Sequence, residues 1–316
     1  MVKVAKQRAP ADLQSKKEGF FHYVFHHKAL YLMLLPVLLY YLTFCYVPMF
    51  GVVVAFQDYI PGIPFFENEW VGLRYFEILF KSPDFPMIMR NTLSISLQRL
   101  IIGFPAPIIL ALMLNEVRTM FFKRTVQTIS YLPFFLSWVI VGGIITELFS
   151  LDGPINGLLS LFGVEKQALL YNSGFFQPML VMTGIWKDVG WGSILFLSAL
   201  AGIDQQLYEA AVIDGAGRWK QTLHISLPGL KPIMVVLLIM NVGGILNAGF
   251  DQIFILQNEV VRSVSEIIDT YVYKVGISNS NYSFGTAVGL FKSVVGFVLV
   301  IGANWLARRM GEESLL

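Results

Sequence analysis

Charged side chains inside apolar runs are the residues of this sequence best placed to do chemistry. An ion within a lipid bilayer costs roughly a few kcal/mol, so such side chains face one another or a water-filled cavity. Two interpretations stay open: the side chains line a polar vestibule for a hydroxyl-rich ligand, or they form ion pairs that lock a helix bundle. With their polar and aromatic neighbours, they are Arg99, Trp186, Lys187, Asp188, Asn247, Asp251, Gln252 and Lys292.

The sequence lacks the signatures of an enzyme or a metal site. No lysine follows a glycine, which excludes a phosphate-binding loop, and no HExxH motif or zinc-type His/Cys spacing occurs. Cys45, the single cysteine, lies inside an apolar run. If this protein moves a solute uphill, the energy therefore comes from an ion gradient or from another subunit.

The elements that position these residues are predicted to be membrane-spanning helices. Hydrophobic residues make up 55% of the 316 residues and charged residues only 14%, with a mean hydropathy of +0.63. A span needs about 20 apolar residues, and the composition predicts an all-α membrane protein with six transmembrane helices. The predicted spans are 29–56, 91–115, 125–149, 178–201, 233–257 and 284–306.

The placement of Lys and Arg predicts the orientation of the chain. These residues concentrate in the basic N-terminal tail 1–28, in the segments 116–124 and 202–232, and in the C-terminal tail. Positively charged segments favour the cytoplasmic side. We therefore expect a multi-pass protein of the bacterial plasma (inner) membrane, with both termini cytoplasmic and with the tail lying against anionic lipid.

The segment 202–232 is polar although it lies between two apolar spans. Asp204 is a plausible N-cap for a helix of about three turns. Asp214-Gly215 is a natural stop because glycine accepts a positive φ, and RWKQTLHI favours a second short helix. The pattern predicts a helix, break, helix elbow on the cytoplasmic side. From the residues alone, an amphipathic hinge resting on lipid headgroups is an equally good interpretation.

The stretch EAAVIDGAGRWKQTLHISLP (209–228) resembles the EAA loop of permease subunits of ATP-binding cassette (ABC) importers. Gln205 and Leu223 depart from the family pattern, where proline and phenylalanine are frequent. The resemblance extends over most of the chain and narrows to the polysaccharide and oligosaccharide branch. It includes WVGLRYF (70–76), NTLSIS (91–96), YLPFFLSWVIVGGII (131–145), WKDVGWGSILFLSALAGID (186–204), DTYVYKVG (269–276) and FGTAVGLFKSVVGFVLVIGANWLARR (284–309).

The resemblance implies a type I importer fold over 29–316 and a permease without an ATPase site of its own. It implies pairing with a second homologous permease, a cytoplasmic ATPase dimer that carries ATP and magnesium, and an extracytoplasmic sugar-binding protein that delivers an oligosaccharide. The other contacts expected are membrane lipid, with no nucleic acid. The residues expected to couple to the ATPase are Glu209, Ala210, Ala211, Asp214, Gly215 and Trp219.

Two competing functions can be weighed against this expectation. A gradient-driven sugar carrier does not need a cytoplasmic elbow, and six spans without paired broken helices match such carriers poorly. A membrane enzyme acting on polysaccharide needs a carboxylate pair or a metal. The acidic residues of the first external loop, Asp58, Glu67, Glu69 and Asp84, match no glycosidase pattern. Whether the sugar is acidic stays open.

Overall fold

Helices make up most of residues 26–311, the part of the chain that the computed structural model describes. The all-α class predicted from the sequence is confirmed. The exception is a two-residue antiparallel pair, Gln57–Asp58 with Glu69–Trp70. Nearly all of the predicted basic tail 1–28 lies outside the described residues.

The chain divides after Val53 into two compact units. In the first, an apolar helix begins at Lys28, and it ends at Phe56 beyond the division (α1, Lys28–Phe56). No residue from Lys28 to Val53 is buried within the chain. This helix therefore offers its apolar side chains to lipid or to another protein.

The second unit contains the other helices. In chain order they are α2 (Arg74–Lys81), α3 (Phe85–Glu116), α4 (Met120–Phe135), α5 (Trp138–Leu148), α6 (Pro154–Leu161), α7 (Ser173–Ala201), α8 (Gln205–Ile213), α9 (Arg218–Gly243), α10 (Phe250–Leu256), α11 (Arg262–Ser265), α12 (Ile268–Val272) and α13 (Tyr282–Arg309). Within the described residues, five helices are long and apolar enough to cross a membrane: α1, α3, α7, α9 and α13. The number rises to six if α4 and α5 count as one span.

The third predicted span, 125–149, differs from the structure because α4 and α5 are two helices bent by 103°. Pro133 has no N–H to donate to the preceding turn, and α4 tightens into a 3₁₀ turn over Leu132–Phe135. Leu136 is extended, and the Ser137 side chain then caps α5 by accepting a hydrogen bond from the Ile140 N–H at 3.4 Å. Local sequence therefore makes the bend.

The fifth predicted span, 233–257, also differs from the structure. Helix α9 begins at Arg218, far ahead of the predicted start. Pro228 does not interrupt it, because this proline lies in the first turn of the helical segment that follows a π-helical turn over Thr222–Ser226. It ends at Gly243, and a break follows in which Ala248 and Gly249 have positive φ. The prediction of a continuous fifth span is therefore wrong.

Apolar side chains form separate cores toward the two ends of the second unit. Helices α3 and α7 end, and α4 and α9 begin, on the side of α8; we call this the α8 end. The core at the α8 end consists of Ile108, Ala111, Phe196, Leu200 and Leu230. Two cores lie toward the opposite end, one around Ile95, Phe176 and Ile253 and one around Ile88, Leu246 and Phe284.

Helices α4 and α7 approach so closely that Gly190 has no room for a side chain. A Cβ placed there would overlap the backbone of Ser130 and Tyr131. We expect Gly190→Ala to destabilise the protein by about 1–3 kcal/mol, the usual cost of overpacking, seen as a lower midpoint of thermal unfolding in detergent.

Gly302→Ala is the matched control, because Gly302 is also helical and a Cβ there meets no atom within 4 Å. Both substitutions gain helix propensity, so the difference between their midpoints reports the close contact. Equal midpoints would contradict this account of the α4–α7 contact.

Candidate functional site

A cavity of about 390 Å³ lies between α3, α7 and α9. Arg99, Asp188 and Asn241 supply its polar groups, and apolar side chains supply most of the wall. The cavity sits between the core at the α8 end and the cores at the opposite end. Its lining residues are Arg99, Gly103, Phe104, Pro107, Val181, Gly184, Ile185, Asp188, Val189, Gly192, Leu195, Phe196, Leu237 and Asn241.

The Arg99 side chain is held in place by a chain of hydrogen bonds. Its Nη2 donates to Oε1 of Gln252, which is fully buried. The Gln252 Nε2 in turn donates to the Thr183 Oγ1 at 2.8 Å and to the Leu180 carbonyl at 3.0 Å. The guanidinium is therefore fixed to both α10 and α7, and two predicted residues, Arg99 and Gln252, act as one unit.

Local backbone irregularities create the space for Arg99. A π-helical turn over Arg99–Gly103 interrupts α3. At Gly249, φ is +85° and a Cβ would overlap the Arg99 guanidinium. The break between α9 and α10 therefore has a glycine where the arginine passes.

Lys187 and Asp188 are neighbours in sequence but lie in different surroundings. Asp188 lines the cavity with Arg99. Lys187 is only 6% exposed, and its ammonium donates to the Phe134 carbonyl at 2.8 Å, at the α4–α5 bend. Trp186 is 48% exposed and lines a different pocket with Pro133.

The other predicted pathway residues are also outside the cavity. Lys292 forms an ion pair with Asp269, and both line a smaller pocket of about 210 Å³ that includes Asn247. Asp251 is exposed on α10. The structure therefore brings together Arg99, Asp188 and Gln252 and places the other five candidates elsewhere. It supports ion pairing for Lys292, one of the two interpretations left open by the sequence.

The segment 204–226, which we call the elbow, has the predicted helix, break and helix. The Asp204 side chain caps α8 by accepting the Gln206 N–H at 2.9 Å. Gly215 has φ +75°, and the Ala216 N–H returns to the Ala211 carbonyl at 2.8 Å to close the helix end. Hydrogen bonds thus cap α8 at both of its ends.

Further contacts brace the elbow internally and against α3. The Tyr208 hydroxyl lies 2.9 Å from the Ser226 Oγ, and the Gln221 Nε2 donates to the Ala216 carbonyl at 2.8 Å. Arg218 forms an ion pair with Glu116, at the end of α3, at 3.6 Å. The elbow is therefore connected to α3 as well as to α7 and α9.

The elbow exposes apolar side chains that the list of coupling residues omitted. Ile213 is 86% exposed, and Leu207 and Val212 are also exposed. Exposed apolar clusters of this kind mark protein contacts. Glu209, Ala210, Asp214 and Gly215 are exposed and Ala211 is half-buried.

Glu209 and Trp219 lie on different sides of the elbow. Glu209 lines a groove of about 620 Å³ with Tyr208, Ile213 and the end of α3. Trp219 lines a separate groove of about 510 Å³ with Ile109 and Met113 of α3. The six predicted coupling residues therefore do not form a single face.

The structure has a network of charges at the end opposite α8 that the sequence did not predict. The Glu266 carboxylate, fully buried, accepts hydrogen bonds from Arg262 Nε at 3.0 Å, Lys274 Nζ at 2.9 Å and Thr270 Oγ1 at 2.8 Å. Arg262 also pairs with Asp84, just before α3, at 3.1 Å. The hydrogen bond to Glu266 raises the pKa of Arg262 above its ordinary value. The i, i+4 spacing of Arg262 and Glu266 was the available signal.

This network holds the segment between α10 and α12 against α3. The Asn91 Nδ2 donates to the carbonyls of Ser263 and Glu266, each at 3.1 Å, and Thr92 accepts the Ile268 N–H at 3.0 Å. No group of three or more metal-binding side chains occurs within residues 26–311.

Similar proteins share almost the full length of this chain. A family model described as "Binding-protein-dependent transport system inner membrane component" matches residues 103–312. Protein LplB of Bacillus subtilis is 48% identical over 311 residues, covering 98% of both chains. The polygalacturonan/rhamnogalacturonan transport system permease protein YteP of the same organism is 46% identical over 320 residues, covering 99% of this chain and 100% of YteP.

A solved structure shares the fold. It is a bacterial alginate ABC transporter in complex with an alginate pentasaccharide-bound periplasmic protein. One of its chains matches with a TM-score of 0.86 and 37% identity, covering 94% of this chain and 100% of that chain. A second crystal structure, of a bacterial ABC transporter involved in the import of the acidic polysaccharide alginate, matches with a TM-score of 0.85 and 38% identity, covering 92% of this chain and 99% of that chain.

Substitution of the buried Glu266 tests how much the charge network at the end opposite α8 contributes to stability. We expect Glu266→Gln to lower the free energy of unfolding by roughly 1–2 kcal/mol, because an amide NH₂ replaces one acceptor between two cations. The side chains of Arg262 and Lys274 are 42% and 40% exposed. Solvent therefore screens their charges and keeps the loss of unfolding free energy at the low end of this range.

Thermal unfolding of the purified protein measures this loss, and Glu77→Gln is the control. Glu77 also pairs at i, i+4, with Lys81 at 3.1 Å, but both side chains are largely exposed. The control should unfold at the parental temperature. A Glu266→Gln protein as stable as the control would show that the network carries no net stability.

Proposed function

This chain belongs to the binding-protein-dependent transport system inner membrane component family, and on that premise we propose how it works. The resemblance and the ABC importer permease fold expected from the sequence are confirmed. It is a multi-pass membrane protein and a permease of the sugar-transporting ABC type. We propose that it forms, with a second homologous permease, the pathway for an oligosaccharide delivered by an extracytoplasmic binding protein.

The full-length similarity to sugar permeases is the observation that carries this proposal. YteP is named for polygalacturonan and rhamnogalacturonan, and the alginate transporter was crystallised with a pentasaccharide-loaded periplasmic protein. In both cases the substrate is a chain of sugars. We assign an oligosaccharide on this basis. We place both termini of the present chain in the cytoplasm because of the distribution of Lys and Arg.

The cavity chemistry is suited to sugar hydroxyls. A guanidinium, a carboxylate and an amide converge in it, from Arg99, Asp188 and Asn241, among apolar walls. Each polar group has donors or acceptors that hydroxyls match, and the apolar walls match the C–H faces of the rings. An acidic oligosaccharide is the preferred class, because the neighbour's alginate is described as acidic and Arg99 supplies a fixed cation.

The elbow is proposed to receive movement from an ATPase dimer that carries ATP and magnesium. Its exposed Leu207, Val212 and Ile213 would dock in the ATPase, together with Glu209, Ala210 and Gly215. Capping at Asp204 and Gly215 and the bracing through Tyr208 make it stiff enough to move with α7 and α9. Rigid-body movement of this kind changes the access to a central site. The chain itself then needs no ATPase site.

The gradient-driven alternative is disfavoured by the family. Helix breaks do occur at 136–137 and 244–249, so broken helices alone do not exclude such a carrier. The matched family is nevertheless described as binding-protein-dependent, and an exposed apolar elbow has no role in such a carrier.

Copurification tests the proposed assembly. We expect the tagged chain, taken from its native membrane in mild detergent, to bring a second permease and an ATPase identified by mass spectrometry. The same preparation in proteoliposomes, with binding protein, should import oligosaccharide only when ATP is supplied. Uptake driven by an ion gradient without ATP would overturn the proposal. Acidic and neutral oligosaccharides of equal length, compared in this assay, decide the substrate class.

Gly215→Leu tests the coupling role of the elbow. A side chain at φ +75° is strained by roughly 1–2 kcal/mol and shifts the end of α8, so we expect uptake to fall about tenfold or more while membrane insertion is unchanged. Uptake and ATPase activity are measured in the same proteoliposomes.

Gly163→Leu is the matched control, since Gly163 has φ +76° with no atom within 4 Å of a Cβ and lies outside the elbow. It imposes the same kind of strain elsewhere and should leave uptake near the parental rate. Normal uptake by Gly215→Leu would remove the elbow's docking role.

A further inference from the structure

Lys187 is a buried cation without a carboxylate partner. It lies in the middle of α7 at 6% exposure, and within residues 26–311 no carboxylate oxygen is recorded within 4.0 Å of its ammonium. The carboxylate of the neighbouring Asp188 attracts the ammonium from beyond that distance, so the charge is only partly offset, which is expensive in an apolar setting. The contacts of the ammonium at the α4–α5 bend supply what Asp188 does not.

The ammonium is held by both sides of the α4–α5 bend. It donates to the Phe134 carbonyl at 2.8 Å, and it lies 5.2 Å from the centroid of the Phe134 ring and 5.5 Å from that of Trp138. Phe134 is in the last turn of α4, where carbonyls lack helical partners and carry a partial negative charge. Trp138 is the first residue of α5. One cation therefore satisfies the end of α4 and contacts the start of α5.

The rest of the same α7 face fits the bend. Gly190 brings the α7 backbone against Ser130 and Tyr131. The Trp191 ring stacks on Phe134, with centroids 4.5 Å apart and planes at 2°, and meets Phe135 edge-on at 5.6 Å. Residues at i, i+3 and i+4 share one face of a helix. We call this face, Lys187, Gly190 and Trp191, with Phe134, Phe135 and Trp138, the Lys187 clasp.

The clasp lies beside the cavity, because Gly192, Leu195 and Phe196 of α7 line the cavity between the clasp and the elbow. The end of α7 leads into the elbow through 202–204. Beyond the clasp, α5 packs on α10 at Gly142, where a Cβ would lie 2.5 Å from the Ile255 Cγ2. In α10, Gln252 holds the guanidinium of Arg99 in the cavity. A shift of α7 therefore reaches Arg99 by two routes, along α7 itself through Thr183 and across the clasp through α5 and α10.

We propose that Lys187 is a positioning residue that makes α5 move with α7 when the elbow moves, and that its positive charge is required for this. The proposal rests on the proposed transport function. Lys187 does not contact the sugar in this scheme, since it faces the bend while its neighbour Asp188 faces the cavity. It acts through the Phe134 carbonyl and the Trp138 ring.

The test compares Lys187→Met, which keeps the length and loses the charge, with Lys187→Arg, which keeps a cation and donors. Both are made in the complete transporter and assayed in proteoliposomes with sugar-loaded binding protein. We expect Lys187→Met to lower the maximal uptake rate about tenfold or more, with the apparent KM for loaded binding protein unchanged within about twofold. Lys187→Arg should restore most of the rate.

Three results would overturn the inference. They are a normal maximal rate in Lys187→Met, a raised KM with an unchanged maximal rate, which indicates sugar contact, and an equal loss of rate in Lys187→Arg. If Lys187→Met fails to assemble, Trp138→Leu supplies the test. It keeps the lysine and its bond to Phe134 but removes the contact with α5, and it should also lower the maximal rate at constant KM. Normal uptake by Trp138→Leu would then overturn the inference.

The parental transporter separates this inference from the proposed function. If the parental complex imports no oligosaccharide with ATP, the proposed function itself has failed. If it imports sugar and the Lys187 variants match it, only the role of Lys187 has failed.

Discussion

Every polar group that the spans carry into the bilayer must be satisfied by the protein itself, and this constraint organises the middle of the molecule. The carbonyl left free at the end of α4 is bonded by Lys187. The break between α9 and α10 is crossed by Arg99, which is itself held by Gln252. Lys292 is neutralised by Asp269. These three groups thus have their partners on other helices, and the partners help to fix how the helices pack together.

The resulting architecture is a polar layer between apolar cores. Ile108, Phe196 and Leu230 pack on the side of the elbow, and the clusters around Phe176 and Phe284 pack on the other side. Close-packed cores resist deformation. At a hydrogen-bonded helix break, in contrast, the angle between the two helices can change with little loss of packing. The helix breaks and the cavity occur at the same level as the polar layer. In the proposed mechanism, movement transmitted from the elbow would be concentrated where the sugar would pass.

The sequence predicted local features better than the partners of its charges. The helical class, the Asp204 cap and the glycine stop at Gly215 follow from composition and from neighbouring residues. The bend at Pro133 and the break at Gly249 were read as parts of continuous spans, because hydropathy does not register a change of direction. Arg99 and Gln252 were both candidates, yet their contact joins residues far apart in the chain. The local spacing of Arg262 and Glu266 was a signal for their pairing, but the contact of Arg262 with Asp84 joins residues far apart in the chain.

The exposed apolar surface of the elbow has a consequence for how the chain is made. Ile213 is 86% exposed in a segment that is otherwise rich in polar and small residues. Any association that covers this apolar surface is favoured by roughly 25 cal/mol for each Å² removed from water. A newly synthesised copy therefore tends to associate with other apolar surfaces until something covers the elbow. Such a surface makes an unassembled copy prone to aggregation and favours synthesis of the chain in step with whatever covers it.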